Sequence, residues 1–307
     1  MESRQIAIAG ATGLVGTELY NILGTEGRPL SVVGRSIEKL RNSFPDADQH
    51  LTWNDFADSN AEQFHTIVNL AGATVADLKW TDEYKKVMMD SRLNATRECV
   101  KLCQRNPDIR LINASAVSAY GFYTEPYIRF TEENTDKRHG TAFLQEMIDR
   151  WEEEASKARE FGTSLAMLRI GVVLHPEEGP LPLMARQTKF FLGGPIGSGE
   201  QIMSWISSTD LARIIQFLIE NPDITGPVNC TAPLACSNRA FSQALGKAMG
   251  RPSFFRTPAF VIRAAMGQMG DELVVHGQHV YPEKLLNSGF AFQHGKIEEY
   301  FSEIFPN

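Results

Sequence analysis

Seven residues near the start, Gly10-Ala11-Thr12-Gly13-Leu14-Val15-Gly16, constrain this chain more than any other stretch. The short apolar run Ile6-Ala7-Ile8-Ala9 leads into them, and a helical pattern from about Leu14 to Leu23 leads out. Strand, glycine-rich turn and helix in that order open a βαβ unit. Its glycines permit a tight turn, close approach of backbone to a ligand, and close packing of helix on strand. The helix N-terminus offers free N–H groups and a positive dipole end to a pyrophosphate. The expected ligand is therefore a dinucleotide, held by Gly10, Thr12, Gly13, Leu14, Val15 and Gly16. The plainer alternative is a tight turn with only a structural role.

Beyond this loop the chain keeps the alternation. Strand-like runs at Leu30–Val33, His50–Trp53, His65–Leu70, Arg110–Ala114 and Ser164–Arg169 are interleaved with helical patterns at Ser36–Asn42, Thr81–Gln104 and Thr141–Phe161. That order implies an α/β chain, a Rossmann-type doubly wound parallel sheet with helices on both faces. After Gly171 the pattern loosens, with Pro and Gly clustered at Pro176–Pro182 and Gly193–Gly199. A helix is expected over Thr209–Glu220, a return to the sheet at Pro227–Cys230, and mostly helix from Ser237 onward. The expected division is a nucleotide-binding domain over 1–170 with about 204–232. A smaller, mostly helical C-terminal lobe, 171–203 and 233–307, would bind substrate.

The second strand ends Val32-Val33-Gly34-Arg35-Ser36. An NAD site usually places a carboxylate there for the ribose 2′-hydroxyl, whereas an arginine can grip a 2′-phosphate with two N–H bonds. Arg35 and Ser36 thus point to NADP(H). The chain as a whole does not attract anions: 30 basic against 37 acidic residues leave a net charge of −7. That balance argues against nucleic acid, which needs a basic stripe. Leu165–Leu174, the best apolar run, is short and carries Arg169, so no membrane span is expected. The opening Met1-Glu2-Ser3-Arg4-Gln5 does not look like a secretory signal, and a cytoplasmic protein is expected. Cys99, Cys103, Cys230 and Cys236 read as free thiols, and His175, His276 and His279 show no metal-ligand spacing, so no metal is expected.

The GxxGxxG spacing, with Asn69-Leu70-Ala71-Gly72 and with Ser115 before Tyr120-Gly121, resembles the extended short-chain dehydrogenase/reductase superfamily. The resemblance implies that Leu70, Ala71 and Gly72 line the cofactor and that Ser115 meets cofactor and substrate. It also implies a Tyr with a Lys four residues later, whose ammonium depresses the phenol pKa for proton transfer. None of the seven tyrosines has Lys four places on, and counting back from Trp151-Glu152 puts Leu144 and Ile148 at the two positions.

A narrower resemblance rests on Gly193–Gly199, Trp205-Ile206 with Asp210, Asp90-Ser91-Arg92 with Thr96, Arg169–Leu174, and the tail from Arg256-Thr257-Pro258-Ala259 to Gly289-Phe290. These segments resemble a subgroup described as sugar-nucleotide epimerases, which has its own C-terminal domain and some relatives linked to cell or plastid division. It implies an NADP(H)-binding, epimerase-like oxidoreductase acting on a nucleotide sugar or similar small polar substrate. A homodimer through the two long helices is implied too. The alternative is a catalytically silent nucleotide-binding regulatory protein. Candidate catalytic residues are Ser115, Tyr120 and Tyr123, with ring packing as the competing role of the tyrosines. Arg92 is either a cofactor contact or a surface salt bridge, and Ala73 stands where members often carry an acid. Trp151-Glu152-Glu153-Glu154 with Lys157 reads as a solvated helix face, and Phe190-Phe191-Leu192 with Phe254-Phe255 as core or lobe interface.

Overall fold

The first strand, β1 (Gln5–Ala9), is buried on both sides, and alternation parts its side chains: Ile6 and Ile8 enter one core, Ala7 and Ala9 the other. The computed structural model describes residues 4–76, 79–122, 128–134 and 142–306. After β1 come α1 (Leu14–Thr25), β2 (Leu30–Gly34), α2 (Ile37–Ser43), β3 (Gln49–Thr52), α3 (Trp53–Ala57) and β4 (Phe64–Asn69). Next along the chain are α4 (Asp82–Arg105), β5 (Arg110–Ala116), a two-residue β6 (Arg129–Phe130), α5 (Phe143–Ser156) and β7 (Leu165–Ile170).

Local chemistry sets the boundaries. Thr81 Oγ1 accepts the Tyr84 N–H and opens α4, and Ser36 Oγ accepts the Lys39 N–H and opens α2. β3 stops at Thr52, one residue short of the expected end, because Thr52 and Asp55 form a reciprocal capping box for α3.

Beyond β7 lie β8 (Val172–Leu174), α6 (Leu181–Lys189), β9 (Ile202–Met203), β10 (Trp205–Ser207), α7 (Ser208–Glu220) and β11 (Gly226–Cys230). α6 begins inside the Pro/Gly cluster; Pro180 and Pro182 sit at its start, where a missing N–H costs nothing. The main sheet has the order β11-β7-β5-β4-β1-β2-β3, and all its pairings are parallel. Strand order reverses between β1 and β4, and ligands of such sheets sit beyond the carboxyl ends at that point. Leu19 and Leu23 of α1 and Leu211, Ile214 and Leu218 of α7 cover one face; Cys99 and Cys103 of α4 and Ala155 of α5 cover the other.

The C-terminal part adds α8 (Asn238–Ala248), α9 (Ala259–Met266) and a last helix, Ile297–Ile304. Trp205, Phe241, Leu245, Tyr300 and Phe301 form its core. It is stitched to the sheet half by polar contacts. Glu272 accepts the N–H groups of Phe143 (3.1 Å) and Leu144 (2.9 Å), capping α5 from outside, and Gln278 donates to Gly121 O at 2.6 Å. Asp210, fully buried in α7, accepts the Gln293 and His294 N–H groups. No helix among the described residues is long and apolar enough to cross a membrane.

Candidate functional site

The glycine loop lies at the switch point, and two of its three glycines are fixed by different neighbours. Gly10 has φ +79°, and a Cβ there would meet Ala71 N and Leu70 C at 2.9 Å. The Asn69-Leu70-Ala71-Gly72 element therefore presses directly on the loop. At Gly16 a Cβ would meet Ala11 and Gly10 at 2.7 Å, so helix α1 can rest on the turn only without a side chain. Gly13 differs: a Cβ there would meet only Gly10 O, at 3.4 Å. Nothing in the fold demands glycine at 13, and a bare backbone is what an approaching phosphate needs.

Gly13 is also the N-cap of α1, with extended backbone, no side-chain cap and no acid in the first turn. The orphan N–H groups of the helix are thus left for a ligand. Thr12, Leu14 and Val15 are half-buried around this end. At the end of β2, Arg35 is exposed and makes no ion pair among the described residues. Ser36 beside it spends its oxygen on capping α2 and keeps its O–H to donate. The residues present fit a dinucleotide carrying a 2′-phosphate.

Asn69 explains the second element. It is fully buried, donates to Asn113 Oδ1 (2.7 Å) and Thr96 Oγ1 (3.0 Å), and accepts the Ala71 N–H at 3.2 Å. It thereby sets the backbone of Leu70 to Gly72. Arg92 lies beneath. Its Nη1 donates to Ala73 O and Met88 O at 3.0 Å, and its guanidinium stacks over Trp151 at 5.1 Å. It is buried and forms no ion pair among the described residues, which corrects the surface salt-bridge alternative. Burial pulls its pKa down to about 10.

Two of the three expected catalytic residues are withdrawn from open space. Ser115 is 3% exposed and donates to Glu152 Oε1 at 2.6 Å. Tyr120 is 1% exposed; its hydroxyl lies 2.7 Å from Asn229 Oδ1 and 3.1 Å from Thr131 O, and its ring stacks on Phe130. Burial raises its pKa. Tyr123 lies outside the described residues. Leu144 and Ile148 are buried in an apolar cluster with Met88, Met147 and Trp151.

A residue pair missed by sequence reasoning organises this region. Arg169 (2% exposed) clasps Glu152 with two bonds, Nε–Oε1 2.9 Å and Nη2–Oε2 2.8 Å, and lies over the Tyr120 ring at 4.8 Å. Against the burial that would lower it, the Glu152 carboxylate holds the Arg169 pKa up. The expectation of a solvated face at 151–154 is thus corrected: Trp151, Glu152 and Glu154 are buried, and Lys157 pairs with Glu154 one turn back. A second polar cluster has the spacing of a catalytic triad, with His294 Nδ1 2.8 Å from Ser207 Oγ and Nε2 3.2 Å from Glu303. Ser207 is fully buried and caps α7, so it serves the fold.

Comparison with known proteins places the geometry. Residues 6–230 match the model of the NAD dependent epimerase/dehydratase family, and 257–304 match that of a domain of unknown function, DUF1731. The chain is 34% identical over 303 residues to the epimerase family protein Mb2239 of Mycobacterium bovis, covering 97% of each. Among solved structures it is similar to human epimerase family protein SDR39U1 with NADPH, with TM-score 0.86 and 28% identity over 99% of both chains. It is also similar to the nucleoside-diphosphate sugar epimerase from Corynebacterium glutamicum, with TM-score 0.76, 26% identity, and 99% of this chain against 58% of that one covered.

Proposed function

We propose, for a chain that belongs to the NAD dependent epimerase/dehydratase family, that it is a cytoplasmic NADP(H)-binding protein exchanging hydride with a nucleotide sugar or similar small polar substrate held beneath its C-terminal lobe. The observation that carries this reading is the uncapped N-terminus of α1, under a loop whose central glycine the fold itself does not require. Gly10, Thr12, Gly13, Leu14, Val15 and Gly16 hold the pyrophosphate, and Arg35 with Ser36 takes the 2′-phosphate. Leu70, Ala71, Gly72, Arg92 and Ser115 flank the nicotinamide half. When bound, NADP(H) supplies or accepts the hydride. Its support from relatives is the human neighbour with NADPH and the nucleoside-diphosphate sugar epimerase neighbour. A dimer through α4 and α5 is the assembly that goes with it.

Arg35 gives the sharpest test of cofactor choice. Losing a bidentate phosphate contact costs about 1.5–3 kcal/mol. Arg35→Ala should therefore weaken NADPH binding by roughly 10- to 100-fold while leaving NADH binding within about twofold. Equal losses for both nucleotides in a fluorescence titration would remove Arg35 from the 2′-phosphate site.

A second reading, a nucleotide-binding regulatory protein without turnover, is favoured by the burial of Ser115, Tyr120, Leu144 and Ile148. Incubation with NADP(H) and a panel of nucleotide sugars separates the two. Turnover that Ser115→Ala lowers at least about tenfold supports hydride exchange. Tight NADPH binding with no turnover across the panel supports the regulatory reading.

A further inference from the structure

The aromatic runs expected in the core or at the lobe interface are on the outside. Phe190, Phe191 and Leu192 are 63%, 55% and 54% exposed, and Phe254, Phe255 and Phe260 are 74%, 50% and 71% exposed. They form one surface. Phe255 N–H donates to Gly193 O at 3.3 Å, Thr257 N–H to Pro195 O at 3.0 Å, and the Arg251 guanidinium lies 5.3 Å from the Phe191 ring centre. Helix α9 continues it: the sequence AFVIRAAM has no buried residue. A contiguous apolar surface of this kind marks an interaction site.

Two features show that the rings are held outward. Helix α6 ends with Phe191 in the left-handed region (φ +63°), and Leu192 N–H returns to Gln187 O at 2.9 Å. Glycine is the residue that such a helix end favours, and Phe191 is the sole non-glycine with positive φ among the described residues. The rings also stand clear of the surface, whereas a groove for a partner helix would shield them.

Charge chooses the occupant. Segments 181–199 and 247–266 contain Arg186, Lys189, Lys247, Arg251, Arg256 and Arg263 and no acidic residue, in a chain where acids outnumber bases. Arg263 pairs with Asp271 from the next turn of chain; the other five make no ion pair among the described residues. A second copy meeting this face across a two-fold axis would set cations against cations. Protruding phenyl rings among mostly unpaired cations are what a peripheral protein presents to anionic lipid. We propose that this face binds the surface of an anionic bilayer, its rings entering the headgroup region and its cations meeting lipid phosphates. Such attachment needs no membrane-crossing helix, and the inference does not depend on the cofactor.

Sedimentation of the full chain with phosphatidylcholine vesicles, with and without phosphatidylglycerol, tests it. The protein should sediment only with the anionic vesicles, and less as salt rises. The triple change Phe190→Ser, Phe254→Ser, Phe260→Ser touches exposed rings only. It should cut partitioning by about 100-fold while leaving NADPH affinity and the circular dichroism spectrum as they were. Protein that stays in the supernatant with anionic vesicles overturns the proposal. So does partitioning that survives the triple change. A dimer that the triple change dissociates, with no vesicle binding, would assign the face to a second copy instead.

Discussion

Replacing Arg169 by methionine is expected to destabilise the protein by roughly 3–5 kcal/mol, because the buried Glu152 carboxylate loses both bonds of the guanidinium that clasps it. The change also removes the cation over Tyr120 and unties Glu152, the acceptor of Ser115, from β7, so β5, β7 and α5 lose their common anchor. The loss should appear as a lowered midpoint in urea with an unchanged slope. Adding Glu152→Gln removes the second charge while keeping an acceptor for Ser115. That double variant should be more stable than Arg169→Met alone. A single variant within about 1 kcal/mol of wild type, or a double variant no better than the single, would show that the pair does not anchor this region.

The second large effect separates folding from binding at Gly13. Serine suits the extended backbone of the α1 N-cap, and its hydroxyl can accept an orphan N–H of the first turn. Gly13→Ser should leave stability unchanged or raise it by a few tenths of a kcal/mol. The same hydroxyl occupies the N–H groups proposed for the pyrophosphate and fills the space that Gly13 leaves empty. NADPH affinity should fall by at least about tenfold, since a charge-assisted hydrogen bond is worth about 1.5–3 kcal/mol. At Gly16, where a side chain would strike backbone at 2.7 Å, valine should damage stability and binding together. Unaltered NADPH affinity in Gly13→Ser would move the phosphate site away from this helix.

Local signals carried the architecture. Parallel strands buried on both faces read as short apolar runs, and glycine, proline and capping residues punctuate them, so β1 to β5 and the long α4 lie close to where the sequence puts them. The glycine loop was legible for the same reason: its chemistry is contained in seven adjacent residues. Arg169 and Glu152 were not, because their pairing joins a strand to a helix and no neighbour in sequence reports it. One signal was present: Glu152 succeeds Leu144 and Ile148 at intervals of four, on the stripe that α5 buries. The exposed phenylalanines failed for the opposite reason. Apolar composition states what a residue would gain by burial, and the tertiary fold decides whether it is buried.

The contacts from Glu272 to the start of α5, and from Asp210 to Gln293 and His294, bear on inheritance. The two family models meet this chain as separate blocks, 6–230 and 257–304, as though the second could be traded for another. Yet the second block supplies the cap that a helix of the first lacks, and the first supplies the carboxylate that closes a turn of the second. A transplanted tail would leave backbone donors orphaned on both sides of the joint. Such a chain is free to vary its surface loops, but its two blocks must be handed down together.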